Sequence, residues 1–209
     1  MKNKEFKTGA IVLAAGASRR MGQSKMLLPW GATTVIGKVV QTLLEAGVVE
    51  PVIVTGRAFE EVHAVLAGFS VHWAHNPKYE TTEMLQSLQI GVHQVSEEVD
   101  AFLVVLGDQP QIEGSIVKAI LTEVQHTSLP ILIPSFQRQR GHPWLVHKSL
   151  WSDLLALDEH ATLRQFLNAH AAEIEYLNVD SASVLMDLDT PEDYARFTFH
   201  ETNGSGSFN

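Results

Sequence analysis

The stretch Ala10-Ile11-Val12-Leu13-Ala14-Ala15-Gly16-Ala17-Ser18-Arg19-Arg20-Met21-Gly22-Gln23-Ser24-Lys25 begins as a strand-length apolar run and breaks into small residues, glycines and three cations. Residues 10–13 predict a first strand. The loop after it suits an anion: small side chains let the backbone come close, its N–H groups donate, and Arg19 and Lys25 supply charge. The spacing is not that of a P-loop, because Gly22 is not followed by Lys-Ser/Thr, nor that of the dinucleotide fingerprint. Taken alone, the same residues also describe a tight strand-to-helix turn with solvated arginines.

Outward from this loop, short β-branched runs alternate with stretches of helical period. Residues 34–46 place Val35, Val39, Leu43 and Ala46 on one helical face, and Gly47 follows as a stop. Strands are predicted over 51–55, 70–74, 101–106 and 130–133, with helices over 60–66, 83–95 and 113–125. The continuously apolar 101–106 suits a central strand covered on both faces. Beyond 135 the alternation loosens. Residues 137–141 are polar and basic, 142–146 predict a strand, two short helices follow, and 173–177 and 184–188 predict two more strands. Pro191 opens a last helix, with Glu192 and Asp193 in its first turn. The pattern is that of βαβ units around a mainly parallel sheet with helices on both faces. It predicts one domain over 1–200 and a flexible tail over 201–209.

Composition narrows the function. The 209 residues are 45% apolar and 19% charged, enough for a core that buries roughly 70% of the unfolded surface. With no cysteine, disulfides, thiol nucleophiles and cysteine-ligated zinc are excluded. A net charge of −9 argues against broad binding to nucleic acid or anionic lipid. An anionic ligand would need a local basic pocket or a divalent cation, and three of the 15 basic residues, Arg19, Arg20 and Lys25, share one loop. The N-terminal residues do not read as a signal peptide, and no apolar run approaches the ~20 residues of a membrane helix. A cytoplasmic protein without membrane contact is the expectation. The ten histidines form no His-Glu-x-x-His pattern, so zinc is not expected. The four tryptophans read as core or rim packing, although Trp144 closely follows His142-Pro143.

Two acidic segments complete the set. Leu106-Gly107-Asp108-Gln109-Pro110 falls at the C-terminal end of the predicted central strand, the edge where open α/β sheets collect ligands. Asp108 there could hold a metal, or the segment could be an ordinary strand-ending turn. In Met186-Asp187-Leu188-Asp189-Thr190-Pro191-Glu192-Asp193, Asp187 would lie within a strand and Asp189 just past its end. Asp189 would either bind metal or serve as charge near the helix start. Carboxylates from two strand ends converging on one oxygen-loving cation would make a normal Mg²⁺ site.

In their order and combination, these segments resemble the MobA-like nucleotidyltransferases, most closely the molybdenum cofactor cytidylyltransferase branch, over residues 11–194. Leu13-Ala14-Ala15-Gly16 through Lys25 looks like that family's nucleotide loop, Gly107-Asp108-Gln109-Pro110 its metal-binding strand end, Arg140-Gly141-His142-Pro143 its substrate loop, and 187–193 its closing motif. The resemblance implies a single-domain, Rossmann-like nucleotidyltransferase fold that transfers CMP from CTP to the terminal phosphate of molybdenum-bearing molybdopterin. The products would be the cytosine dinucleotide cofactor and pyrophosphate. It implies nucleotide contacts from Leu13, Ala14, Ala15, Gly16, Ser18, Arg19, Gly22 and Lys25, with Lys25, Arg19 and Asp108 catalytic. Mg²⁺ would lie on Asp108 and Asp189, and Arg140 and His142 would receive the acceptor. Relatives that use guanosine triphosphate tend to carry Leu-Ala-Gly-Gly, so Ala15 favours CTP. The implied recipient is a molybdenum hydroxylase of the xanthine dehydrogenase type or its maturation factor.

After Asn76-Pro77, which resembles the base-side loop, Glu80-Thr81-Thr82-Glu83-Met84-Leu85-Gln86-Ser87 lacks the glycine that relatives usually carry. Asn76 and Ser87 are still expected to face the nucleotide. Two rival functions remain from sequence: nucleotidyl transfer to a sugar phosphate or other small phosphate acceptor, and a non-catalytic carrier of the molybdenum cofactor.

Overall fold

The computed structural model describes residues 5–16 and 24–202, with side chains through Phe197. Its elements in chain order are β1 (Thr8–Ala14), β2 (Pro29–Trp30), β3 (Thr33–Thr34), α1 (Val35–Ala46), β4 (Val52–Thr55), α2 (Phe59–Val65), β5 (His72–His75), α3 (Met84–Val92), β6 (Ala101–Leu106), α4 (Gly114–Glu123), β7 (Ile131–Phe136), β8 (Gln139–Arg140), β9 (Trp144–His147), α5 (Trp151–Leu155), α6 (Leu163–Ala169), β10 (Ile174–Asn178) and α7 (Pro191–Thr202).

One mixed sheet runs in the order β10-β7-β9-β6-β1-β4-β5, with β8 paired on β7. Strands β6, β1, β4 and β5 are mutually parallel. Only β9 among the long strands runs against its neighbours, between β6 and β7. The alternation along β1 decides the layers. Ala10, Val12 and Ala14 join a core built with α1, α2 and α4, while Ile11 and Leu13 face a second core built with α3, α5 and α6. Period two on the strand and period 3.6 on the helices therefore meet as a three-layer α/β domain. Within α1, Thr34 accepts a hydrogen bond from the Gly37 N–H at the start, and Gly47, at φ 101°, closes the end in the left-handed conformation only glycine adopts freely.

Because β1, β4, β5 and β6 are parallel, their C-terminal ends open on one edge, and that edge positions the site. Gly107 donates its N–H to Leu13 O at 3.0 Å, and Asn76 donates to Thr55 O at 2.8 Å. A methyl group on Gly107 would stand 3.1 Å from Leu13 O and 3.1 Å from Met26 Sδ, so only glycine lets the turn after β6 lie against β1.

One expected strand is absent. Residues 184–188 are not a strand: Ala182–Leu185 is a 3₁₀ turn and the chain beyond it is irregular up to α7. Val184-Leu185-Met186-Asp187-Leu188 is a mostly apolar run of strand length, but its side chains and backbone have other partners. Val184 packs over Gly141 and Leu188 joins a small cluster with Leu28, Trp30, Val35 and Phe197. Val184 O accepts the His142 N–H, and Met186 O accepts from the Gln111 side chain, in place of ladder bonds. The polar segment 137–141 is a hairpin, with Gln137 and Arg138 both at positive φ. Helix α7 reaches Thr202, and 203–209 lie outside the described residues.

Candidate active site

Lys25 is the first residue of a 3₁₀ turn, Lys25–Leu27, that follows the small-residue loop. Its ammonium donates to Asp108 Oδ2 at 2.6 Å and to Asp189 Oδ1 at 3.0 Å. Asp108 stands just past β6 and Asp189 just before α7, so one cation draws together residues from three distant parts of the chain. The Lys25 side chain is 12% exposed, against 20% for Asp108 and 47% for Asp189. Burial works against the ammonium, but the two carboxylates outweigh it and hold the Lys25 pKa above its ordinary value.

The local structure shows which side chain caps α7. Thr190, not Asp189, caps α7: its hydroxyl accepts from the Asp193 N–H at 3.1 Å, and the Asp193 carboxylate accepts from the Thr190 N–H at 3.0 Å. Asp189 is thereby left to face Lys25. The helix is tied down by Tyr194, whose hydroxyl donates to Pro29 O at 2.6 Å, and by Phe197 against Trp30.

Three residues that sequence reading did not assign shape the same corner. Gln109, 2% exposed, donates to Asp187 Oδ1 at 2.7 Å. Gln111 donates to Met186 O at 2.6 Å. Together these amides fix the acidic segment across from the end of β6. Asp187 itself loses part of its hydration and stands near Asp108 and Asp189, which pushes its carboxyl up, while the Gln109 amide opposes the shift. Gln109 lies in the quoted Gly107–Pro110 motif and could have been suspected; nothing in the sequence marks Gln111.

The remaining expected residues divide. Leu13, Ala14 and Ala15 are buried and Gly16 is exposed, with no described atom within 4 Å of where its side chain would begin; at these four residues it is the backbone that could meet a ligand. Gly56, after β4, presses on the same loop start, since a methyl there would stand 2.7 Å from Ala15 O and 2.6 Å from the Tyr79 ring. Ser18, Arg19 and Gly22 lie outside the described residues. Asn76 and Ser87, expected to face the nucleotide, instead face each other. Asn76 is 1% exposed, and its amide donates to Thr82 Oγ1 and Ser87 Oγ, each at 3.0 Å, while its oxygen accepts from the Lys78 N–H at 2.9 Å. Their bond ties the irregular 77–83 loop to the first turn of α3 from inside.

Arg140 and His142 do not come together as a pair. The Arg140 guanidinium lies over the Tyr176 ring of β10, 5.5 Å from its centroid. His142 turns inward and stacks on Trp144, centroids 4.4 Å apart and planes 18° apart. Burial pushes its imidazole down to about 4, against opposing pulls from the Val104 carbonyl and Asp108, so it is neutral at physiological pH. His142 Nδ1 and Trp144 Nε1 are buried without a hydrogen-bond partner among the described residues.

Asp108 and Asp189 are the pair that could hold a divalent cation. Among the described residues no group of three or more His, Cys, Asp or Glu gathers as a metal cluster. Two carboxylates nonetheless suit Mg²⁺, which keeps several waters and takes further oxygens from substrate phosphates. The Lys25 ammonium already bridges the pair as a stand-in cation, so the arrangement fits a cation. No helix among the described residues is long and apolar enough to cross a membrane.

Residues 10–174 match the MobA-like NTP transferase domain. The chain is 31% identical over 188 residues to the molybdenum cofactor cytidylyltransferase of Escherichia coli K12, covering 88% of this chain and 92% of that protein. Among solved structures it is similar to a nucleotidyl transferase from Methanothermobacter (TM-score 0.79, 26% identity, 94% of this chain and 98% of that one). It is also similar to Rv0371c from Mycobacterium tuberculosis H37Rv in complex with manganese (TM-score 0.75, 25% identity, 92% and 98%).

Proposed function

The chain belongs to the MobA-like NTP transferase family and is a nucleotidyltransferase; from that premise we propose that it transfers CMP from CTP to the terminal phosphate of molybdopterin, with Mg²⁺ on Asp108 and Asp189. The observation that carries this reading is the meeting of Lys25, Asp108 and Asp189 at the C-terminal end of β6. The similarity to a cytidylyltransferase of the molybdenum cofactor supports both substrates, and Ala15 in Leu13-Ala14-Ala15-Gly16 supports cytosine over guanine. A manganese complex of a similar protein supports a divalent ion.

The reaction brings an anionic phosphate to an anionic α-phosphate and releases pyrophosphate, so the protein's task is neutralisation and alignment. Mg²⁺ on the two aspartates would supply charge to the phosphate oxygens. Lys25, and Arg19 from the loop, hold the departing oxygens. Backbone N–H groups around Ala15 and Gly16 receive the triphosphate. Gln109 and Gln111 keep the acidic segment in register with Asp108. No general base is required, because the acceptor phosphate is ionised near neutral pH. The acceptor lies toward His142 and Arg140, and the product is destined for a molybdenum hydroxylase of the xanthine dehydrogenase type.

Pyrophosphate release with molybdopterin, Mg²⁺ and each of CTP, GTP, ATP and UTP tests the proposal. Turnover with CTP well above the others is expected. Robust turnover with GTP would overturn the base assignment, and faster turnover with sugar phosphates or methylerythritol-type phosphates would overturn the acceptor.

A further inference from the structure

Lys25 has two tasks and one ammonium. It follows the loop that receives the triphosphate, yet its Nζ lies 2.6 Å from Asp108 and 3.0 Å from Asp189, the carboxylates read above as cation ligands. An ammonium and a divalent cation cannot both sit between the same two oxygens. We propose that Lys25 is the resident counter-cation of this carboxylate pair: it holds the carboxylates together, competes with the divalent ion for them, and transfers to the triphosphate when nucleotide arrives. The inference rests on Asp108 and Asp189 being metal ligands, and it adds an order of loading that this assignment does not itself contain.

Three features support the exchange. Asp108, Asp187 and Asp189 stand close enough to raise the Asp187 carboxyl, so without a cation their repulsion would push them apart. The 186–189 segment has no strand ladder to resist that; the two glutamine amides, the cap of α7 and buried Leu188 are among its tethers. Lys25 can change partners by rotating its four-carbon stem, with no backbone movement, and its compact ammonium is not locked into a fork as a guanidinium would be. A metal arriving alone must displace this ammonium from both carboxylates. A metal arriving with a triphosphate gives the displaced ammonium new anionic oxygens. Linkage then requires metal and nucleotide each to tighten the other's binding.

The test uses the intact chain and Mn²⁺ without nucleotide, with free Mn²⁺ followed by its paramagnetic resonance. Lys25→Met keeps the apolar stem and removes the charge; Lys25→Arg keeps the charge. Lys25→Met is expected to bind Mn²⁺ at least about tenfold more tightly than the wild type, with Lys25→Arg remaining within about threefold of it. Equal or weaker binding by Lys25→Met would overturn the exchange. Should Lys25→Met fail to fold, lysine labelled with ¹³C at Cε in the wild type reads the same event. The Lys25 signal should move toward that of a solvated lysine on titration with Mg²⁺ alone, and a stationary signal at saturating Mg²⁺ would overturn the exchange. Mn²⁺ binding unchanged in both Asp108→Asn and Asp189→Asn would mark a different failure, that of the carboxylates as metal ligands.

Discussion

Lys25 Nζ and Asp189 Oδ1 are 164 residues apart in the chain and 3.0 Å apart in the folded protein. The contact exists because the turn after the β1 loop and the segment before α7 both border the end of β6, where Asp108 completes the triangle at 2.6 Å. Charge complementarity at a sheet edge, with no sequence proximity, therefore defines the reacting corner.

The first prediction concerns that ammonium during turnover. Lys25→Ala removes the charge held on the departing phosphate oxygens and should lower kcat about a hundredfold, with a smaller change in KM for CTP. Steady-state pyrophosphate release measures it. An unchanged rate at saturating CTP would remove Lys25 from the reaction.

Gln111 acts at one remove. Its amide holds Met186 O at 2.6 Å, so Gln111→Met frees the acidic segment without touching a carboxylate. Losing a hydrogen bond of this kind is worth about 1 kcal/mol, and the Mg²⁺ concentration for half-maximal activity should rise about fivefold. The rate at saturating Mg²⁺ should be nearly retained, a division that general destabilisation would not produce.

Thr190→Ala opens the reciprocal cap of α7 formed with Asp193. A lost threonine cap costs about 1 kcal/mol, or roughly 2–4 °C in Tm for a domain of this size. Thermal unfolding measures it, and Thr190→Ser, which keeps the hydroxyl, should restore most of the loss.

Much of this was legible before any coordinates. The strands 10–13, 51–55 and 101–106 were readable because buried parallel strands are continuous apolar runs, and α1 because Val35, Val39 and Leu43 share one face. Asp108 and Lys25 stood out because each follows a strand or loop with its own local pattern, and the structure brings their side chains together. The 184–188 segment misled because a short, mostly apolar run has a strand's length and composition, while its real partners, Gly141, Gln111 and the Trp30 cluster, are remote in sequence. For Asn76 and Ser87 the sequence marked the segment, but not that their side chains hydrogen-bond to each other between the exit of β5 and α3.

A pH prediction follows from His142. The unfolded imidazole takes a proton near its ordinary value of 6.5, while burial keeps the folded one neutral down to about 4. Between those values the unfolded chain binds the extra proton, so acid favours unfolding. The stabilisation is complete above the unfolded value and is lost as pH falls toward the folded one. From about pH 7.5 to about pH 5 the loss from this group should be about 2 kcal/mol. Urea unfolding at the two pH values, compared with His142→Phe, isolates it: the variant's pH slope should be shallower by that amount, and equal slopes would contradict the assignment.

The central claim is that Asp108 and Asp189 share one divalent ion beside the triphosphate. A crystal structure with Mn²⁺ and a non-hydrolysable CTP analogue, read through the manganese anomalous signal, tests it most directly. The account predicts one peak at about 2.2 Å from oxygens of both aspartates, with Lys25 moved onto the phosphates. A peak that touches neither carboxylate, or Lys25 still between them with nucleotide and metal bound, would contradict it.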